Sequence, residues 1–158
     1  MTANFRELAA RLQTLVGQPV TLKTIAGNSI AVWFGVSSSA PDARGIWIEP
    51  PWRIETESGV ESSSAGFPDE REDGESESAY RQRFDDACAR SDCLRDARLV
   101  ALHVDMVTGD LALRFSNGRT LRSFTTDSDW ECWHFANHAA GRIDRVIGTK
   151  VRAEIAGA

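Results

Sequence analysis

The chain is poor in cysteine, and what it has does not pair off. Cys88, Cys93 and Cys132 are its three cysteines in 158 residues, an odd number with neither disulfide-scaffold nor Cys-x-x-Cys spacing. Reduced thiols in a cytoplasmic protein are the expectation. No apolar run approaches the ~20 residues that a membrane span needs. The first residues, Met1-Thr2-Ala3-Asn4-Phe5-Arg6-Glu7, lack the basic start and apolar stretch of a secretory signal. There is no Gly-x-Ser-x-Gly elbow and no glycine-rich loop of phosphate-binding spacing, so acyl and phosphoryl transfer have no signature.

A basic excess is also missing. The net charge is −5, and between Glu55 and Glu77 nine acids stand against one base, Arg71. Nine less one leaves −8 on that segment and +3 on the remainder. A nucleic-acid binder would carry a basic face; none is visible, and no nucleic-acid or membrane partner is expected.

What is present is alternation. Leu111, Leu113 and Phe115 alternate with Ala112 and Arg114, the period of a half-buried strand. Asn117-Gly118, between two such runs, is a hairpin signal of the type I′ kind. The stretch 98–135 reads as a β-meander that runs on into Asp129-Trp130-Glu131-Cys132-Trp133-His134-Phe135. Earlier, Val20 to Ile25 and Ser29 to Phe34 alternate about a Gly27-Asn28 turn, and a polar loop follows over Ser37 to Arg44. Gly45 to Glu49 and Trp52 to Glu55 form a strand interrupted at Pro50-Pro51, where two ladder donors are lost. Arg142 to Ile147 and Thr149 to Ile155 close the chain as one or two strands.

Helices are expected at two places. Asn4 can cap a first helix with Phe5, Leu8, Leu12 and Leu15 on one side. Ser76 or Ser78 can cap a second over about 78–94, with Tyr80, Phe84, Ala87 and Cys88 on one face. Between them, about 56–78 is rich in serine, glycine and acids and reads as a mobile linker or long loop. The fold class is therefore α+β: a mostly antiparallel sheet from two weakly repeated β-meander halves, about 15–55 and about 98–155, in a single domain of 1–158. In that repeat Leu15-Val16 matches Leu99-Val100, Ile30 to Phe34 matches Leu111 to Phe115, and Trp47 to Trp52 matches Trp130 to Trp133.

Candidate chemistry is sparse. His134 and His138, near Cys132 and His103, have the four-residue spacing of helical zinc ligands. In a strand that spacing spans about 13 Å, so they read as structural or surface histidines, and no metal or cofactor is expected. Asp127, Asp129 and Glu131 are either carboxylates for acid–base work or a solvated turn bonded to its own backbone. Glu131 turned into a pocket against the tryptophans is expected to have a raised carboxyl pKa. Cys88 reads as buried and inert, and Cys93 as exposed without an activating histidine. Of Trp33, Trp47, Trp52, Trp130 and Trp133, most are expected in the core, with Trp33 out of phase and covering a second surface.

The residues Gly17, Val20, Pro51-Trp52-Arg53-Ile54-Glu55, Thr108-Gly109-Asp110-Leu111, Leu113, Phe115, Asn117-Gly118, Leu121, Asp127, Asp129, Glu131 and Trp133 form an ordered motif set. That set resembles a small bacterial family of unknown function built from two β-meander halves. The resemblance covers most of the chain outside the acidic segment. It implies an architecture and no assigned catalytic residues, and the toxin–immunity neighbourhoods of similar domains imply a binding or inhibitor role.

Three functional expectations follow. The first is a non-catalytic binding protein with an unidentified protein partner; the resemblance implies an immunity-type protein, with a toxin as that partner. Its candidate contacts are Trp52, Asp127, Asp129, Trp130, Glu131 and Trp133, together with Asp69, Glu70, Glu72 and Asp73 of the acidic stretch. The second is a small-ligand binder or hydrolase-like enzyme using the Asp129, Glu131 and tryptophan cluster. The third is a homodimer paired through sheet edges.

Overall fold

The computed structural model describes residues 2–35 and 40–156. Residues 36–39, which include the start of the polar loop expected after the second strand, lie outside the described residues. Helix α1 (Phe5–Leu12) starts where Asn4 Oδ1 accepts from the Glu7 backbone N–H at 2.9 Å. Eight residues are too few to hold a helix in water alone. Burial of Phe5, Leu8 and Leu12 supplies the rest, and a 3-10 turn carries buried Leu15 onward.

Two antiparallel sheets share one core. Among the described residues the larger has seven strands and the smaller five. The short β1 (Thr2–Ala3) pairs with the end of the chain. β2 (Val20–Ala26), β3 (Ser29–Phe34) and β4 (Arg44–Ile48) then form a meander in the larger sheet. At Pro50-Pro51 the chain crosses, and β5 (Trp52–Thr56) and β6 (Gly59–Ser63) enter the smaller sheet. The prolines thus divide two strands of different sheets; they do not bend a single one.

The expected acidic linker is partly ordered structure. β6 and a 3-10 turn at Ser64–Gly66 lie in its first half, and Ser62, Ser64 and Phe67 are buried. Composition hides this, because β6 is an edge strand with few apolar residues, held by its partner's backbone. Helix α2 (Glu77–Ala89) follows, with Ser76 Oγ accepting from the Ala79 N–H at 3.2 Å. Only Ala87 of the helix is fully buried. Phe84 meets Phe67 edge-on at 5.6 Å, and Phe67 meets Trp52 at 5.9 Å.

The second half reverses the route. β7 (Leu99–Val104), β8 (Leu111–Phe115) and β9 (Thr120–Ser123) form a meander in the smaller sheet. The β8–β9 turn is not of the I′ kind. Gly118 has φ +81° while Asn117 stays at negative φ, and the Gly118 N–H donates to the Phe115 carbonyl at 3.1 Å. The chain then crosses over residues 124–130, and β10 (Glu131–Asn137), β11 (Arg142–Ile147) and β12 (Lys150–Ile155) complete the larger sheet. The strand order is β1-β12-β11-β10-β4-β3-β2 in the larger sheet and β6-β5-β9-β8-β7 in the smaller, so the stretch 131–137 leaves the meander it follows in sequence.

Pairing registers in the two halves correspond position by position. Val20 faces Phe34 and Ile25 faces Ile30; Leu99 faces Phe115 and Val104 faces Leu111, with a bulge after Val20 and after Leu99. Trp52 and Ile54 face Ser123 and Leu121; Trp133 and Phe135 face Ile48 and Ile46. Where β2 and β7 begin, the bonds are reciprocal. The Val20 N–H donates to the Ala97 carbonyl (2.9 Å) and that of Leu99 to Gln18 (3.0 Å), while Gly17 donates to Leu99 (2.7 Å) and Asp96 to Val20 (2.9 Å). Such an exchange is the bonding of a local two-fold. It needs a left-handed residue at the same point of each half, supplied by Gly17 (φ +88°) and Asp96 (φ +62°). Leu15-Val16 is thus out of register with Leu99-Val100; Val20 is the counterpart of Leu99.

Candidate functional site

Inward and outward positions alternate along β3 and β4. Val32, Ile46 and Ile48 are buried, so Trp33 and Trp47 lie on the outer face of the larger sheet. Trp33 lies across Gly45, where a Cβ would sit 2.5 Å from its ring, and meets His138 at 5.5 Å. Trp47 stacks on His134 of the neighbouring β10, with ring centroids 6.2 Å apart and planes 3° from parallel. Trp130, in the crossing segment, is 74% exposed. Trp52 (1% exposed) and Trp133 (0%) are the two in the core. The expectation that most tryptophans are core is therefore corrected: the alternation of β3 and β4 turns two outward, and Trp130 lies beyond the end of its strand. Trp52 and Trp133, expected among the partner contacts, present no surface to a partner. Each instead donates its indole N–H to a turn of the opposite sheet, Trp52 to the Asn28 carbonyl (2.7 Å) and Trp133 to that of Gly109 (2.8 Å).

Trp47 and Trp130 line a cleft. Trp47, Glu49, Pro50, Thr126, Asp127, Trp130, Glu131, His134 and Arg145 enclose about 840 Å³. Its wall is an ordered polar network. His134 Nδ1 lies 2.5 Å from Glu131 Oε1, and Arg145 Nη1 donates to Glu131 Oε2 at 2.7 Å. Arg145 Nε also donates to Glu154 at 2.9 Å. Trp47 Nε1 donates to Glu49 Oε1 at 2.6 Å, and Ser29 Oγ donates to Glu49 Oε2. Burial alone would push the Glu131 carboxyl up, but hydrogen bonds from His134 and Arg145, and their charges, outweigh it and hold it below its ordinary value. The expected rise is reversed because the neighbours that matter are an imidazole and a guanidinium, which lie on other positions of the sheet.

The Trp130 segment is braced by the β11–β12 turn. The Gly148 N–H donates to the Trp130 carbonyl at 3.1 Å. Gly148 has φ +55°, and a Cβ there would lie 2.3 Å from the Ser128 carbonyl oxygen. Asp127 and Asp129 are exposed, the Asp129 N–H closing a local turn onto Asp127 Oδ1 at 2.8 Å.

The remaining candidates stand elsewhere. Asp69, Glu70, Glu72 and Asp73 are exposed on the approach to α2 and do not line the cleft. Arg83 binds Glu75 with two bonds of 2.7 Å, holding that carboxyl down at about 2, and reaches Glu72 at 3.5 Å. Among the described residues no three His, Cys, Asp or Glu side chains gather as a metal site. Cys132 is buried, and Cys88 and Cys93 are both half-buried, with burial pushing their thiols up. Cys93 is therefore not the exposed thiol expected from its polar neighbours. A second cleft of about 780 Å³ lies between the tips of the β5–β6 and β8–β9 hairpins. Of its charged residues Glu57, Glu61 and Arg119, the last two bind each other at 2.8 and 3.0 Å.

Sequence reasoning found Asp127, Trp130 and Glu131 but missed Trp47, Glu49, Pro50, Thr126 and Arg145 as parts of one site, and read His134 as a structural or surface histidine after weighing it as a metal ligand. The phase of Trp47 against Ile46 and Ile48 was a readable signal. The adjacency of β4 to β10 was not. No family model matches this chain, and no curated protein or solved structure matches it.

Proposed function

We propose that this chain is a non-catalytic binding protein that seats a segment of a protein partner in the Trp47–Trp130 cleft. One observation carries the reading: Trp130 is 74% exposed at a cleft already furnished with a second indole and a fixed polar wall. Exposed tryptophan at a preformed concavity is the composition of an interaction hot spot. An acid–base reading of Asp129 and Glu131 has less support. Glu131 has both oxygens bound to His134 and Arg145 and stays ionised, which removes it as a proton donor near neutral pH. Among the described residues no hydroxyl or thiol hydrogen-bonds the His134 ring, so the carboxylate–imidazole pair has no nucleophile to activate.

The immunity-type role implied by the family resemblance is one instance of this reading. The test is co-expression with the products of the genes that flank this one. A stoichiometric complex whose affinity falls at least ~10-fold in Trp130→Ala supports it, as hot-spot truncations do. No complex, or one indifferent to both Trp130→Ala and Trp47→Ala, overturns it. An edge-paired dimer has its own supporting feature. β7 ends the smaller sheet, and Val100, Met106 and Val107 are exposed on it and its turn. Sedimentation equilibrium separates the two readings.

A further inference from the structure

We propose that the occupant of the cleft is an arginine side chain of the protein partner. The inference rests on the binding reading above and adds the chemistry of the bound group. Three carboxylates, Glu49, Asp127 and Glu131, line the cleft against a single guanidinium, that of Arg145, which leaves −2. Arg145 is already committed, with Nη1 on Glu131 and Nε on Glu154. Glu131 is satisfied by Arg145 and His134. The surplus negative charge therefore sits on Glu49 and Asp127. Glu49 accepts from two neutral donors, Ser29 Oγ and Trp47 Nε1, and Asp127 from a backbone N–H. Among the described residues neither carboxylate has a cationic partner within ion-pair distance.

The rest of the lining selects among occupants. An apolar group would strip water from two carboxylates without replacing its hydrogen bonds. An anionic group would meet like charge. A cation meets both carboxylates and the negative face of an indole. The Trp47 N–H is taken by Glu49 and its ring is stacked on His134, while Trp130 stands largely free. A flat aromatic surface beside two carboxylates suits a planar guanidinium, which stacks and forks its N–H groups, better than a compact ammonium.

The experiment uses the full chain labelled with nitrogen-15, reading the Trp47 and Trp130 indole N–H resonances, assigned with Trp47→Phe and Trp130→Phe. The probes are end-blocked glycine–serine peptides with one central arginine, or with citrulline, lysine or glutamate in its place. The arginine peptide is expected to shift both resonances, and the citrulline peptide to bind about tenfold more weakly, the loss of one charge-assisted contact and its cation–π component. Glu49→Gln and Asp127→Asn are each expected to weaken the arginine peptide several-fold. Asp127 is exposed, so its variant folds whatever Glu49→Gln does to the strand. Equal binding of arginine and citrulline peptides overturns this inference and leaves the binding reading standing. So does a preference for glutamate, or a partner complex sensitive to Trp130→Ala while no peptide moves the indoles. No indole shift with any peptide, together with no partner complex, removes both.

Discussion

At the joint of β4 with β10, His134 faces Trp47; at the equivalent joint of β9 with β5, Arg53 faces Arg122. One register position inward, the two joints are alike: Trp133 and Trp52 are both buried, and Phe135 with Ile46 answers Ile54 with Leu121. Outward they have nothing in common. On the smaller sheet Glu55 accepts from Arg53 and Arg122, and Arg53 sits 4.7 Å from the Phe124 ring centroid. Each charge there has an ion-pair partner within the joint, the one carboxylate serving both arginines, and the Arg122 hydrogen bond, with the others, holds the Glu55 carboxyl below its ordinary value against burial. On the larger sheet the same positions open into a cleft whose charges are left over. Close packing constrains the inner faces of both sheets to similar residues. Nothing of the kind constrains the outer faces, so a difference confined to them locates where the molecule specialises.

The correspondence can be broken from the inside. Trp52→Ala and Trp133→Ala are each expected to destabilise by about 3–5 kcal/mol, the range for a buried aromatic truncation. Urea unfolding should find the two losses similar; a gap larger than about 2 kcal/mol would mean that equivalent register does not carry equivalent packing.

The next contrast is polar. Asp144 is 1% exposed and clasped by Arg11 and Arg142 at 2.8–3.1 Å, tying α1 to the larger sheet. Its counterpart beside β5 is buried Ser62. Asp144→Ala leaves two guanidiniums facing each other and is expected to lower stability by about 2–4 kcal/mol, toward the lower end because both arginines retain some water contact. Ser62→Ala should stay within about 1 kcal/mol. Comparable losses would show that the ion clasp is not what distinguishes the two sheets.

A smaller effect tests the brace beneath the cleft. The β11–β12 turn has no equivalent in the first half, which ends its sheet at β6. Gly148→Ala meets both a left-handed backbone and the Ser128 carbonyl, with an expected loss of about 1–3 kcal/mol. The sharper readout is the Trp130 fluorescence maximum, which should move as its segment is displaced. An unchanged spectrum would detach Trp130 from that turn.

The smallest expected effect is electrostatic. The folded pKa of Glu131 lies below its ordinary 4.5, so the stability it contributes is present above that value and disappears as pH falls through the folded pKa. Glu131→Gln should therefore flatten the fall of the unfolding midpoint between neutral pH and strong acid. The Glu55 carboxylate of the other joint is lowered too, so Glu55→Gln should flatten it in the same direction. A steeper fall in either variant would reverse the assigned sign.

Much of the fold was legible because its signals are local. Asn4 and Ser76 cap the helices that follow them, and both close a bond three residues on. The alternation of Leu111, Leu113 and Phe115 put the three on one face, and all three are buried. Illegible features were those set by pairing. β6 was lost in an acidic stretch because an edge strand needs only its neighbour's backbone, and the turn after β8 depends on how its strands align. The site divided in the same way. Asp127, Trp130 and Glu131 are adjacent in the chain and were found together. Trp47, Glu49 and Arg145 come from strands far apart in sequence that the topology makes neighbours.

By itself, the sequence determined which residues alternate, where the helices begin and that the net acidic excess is concentrated in one segment, since each is read from stretches a few residues long. Only the tertiary structure decided that β4 lies against β10 and β5 against β9, that two tryptophans fill the core while three face outward, and that Glu131 is held ionised. Those outcomes rest on which strand pairs with which, and strand pairing is a property of the whole folded chain, which no local stretch encodes.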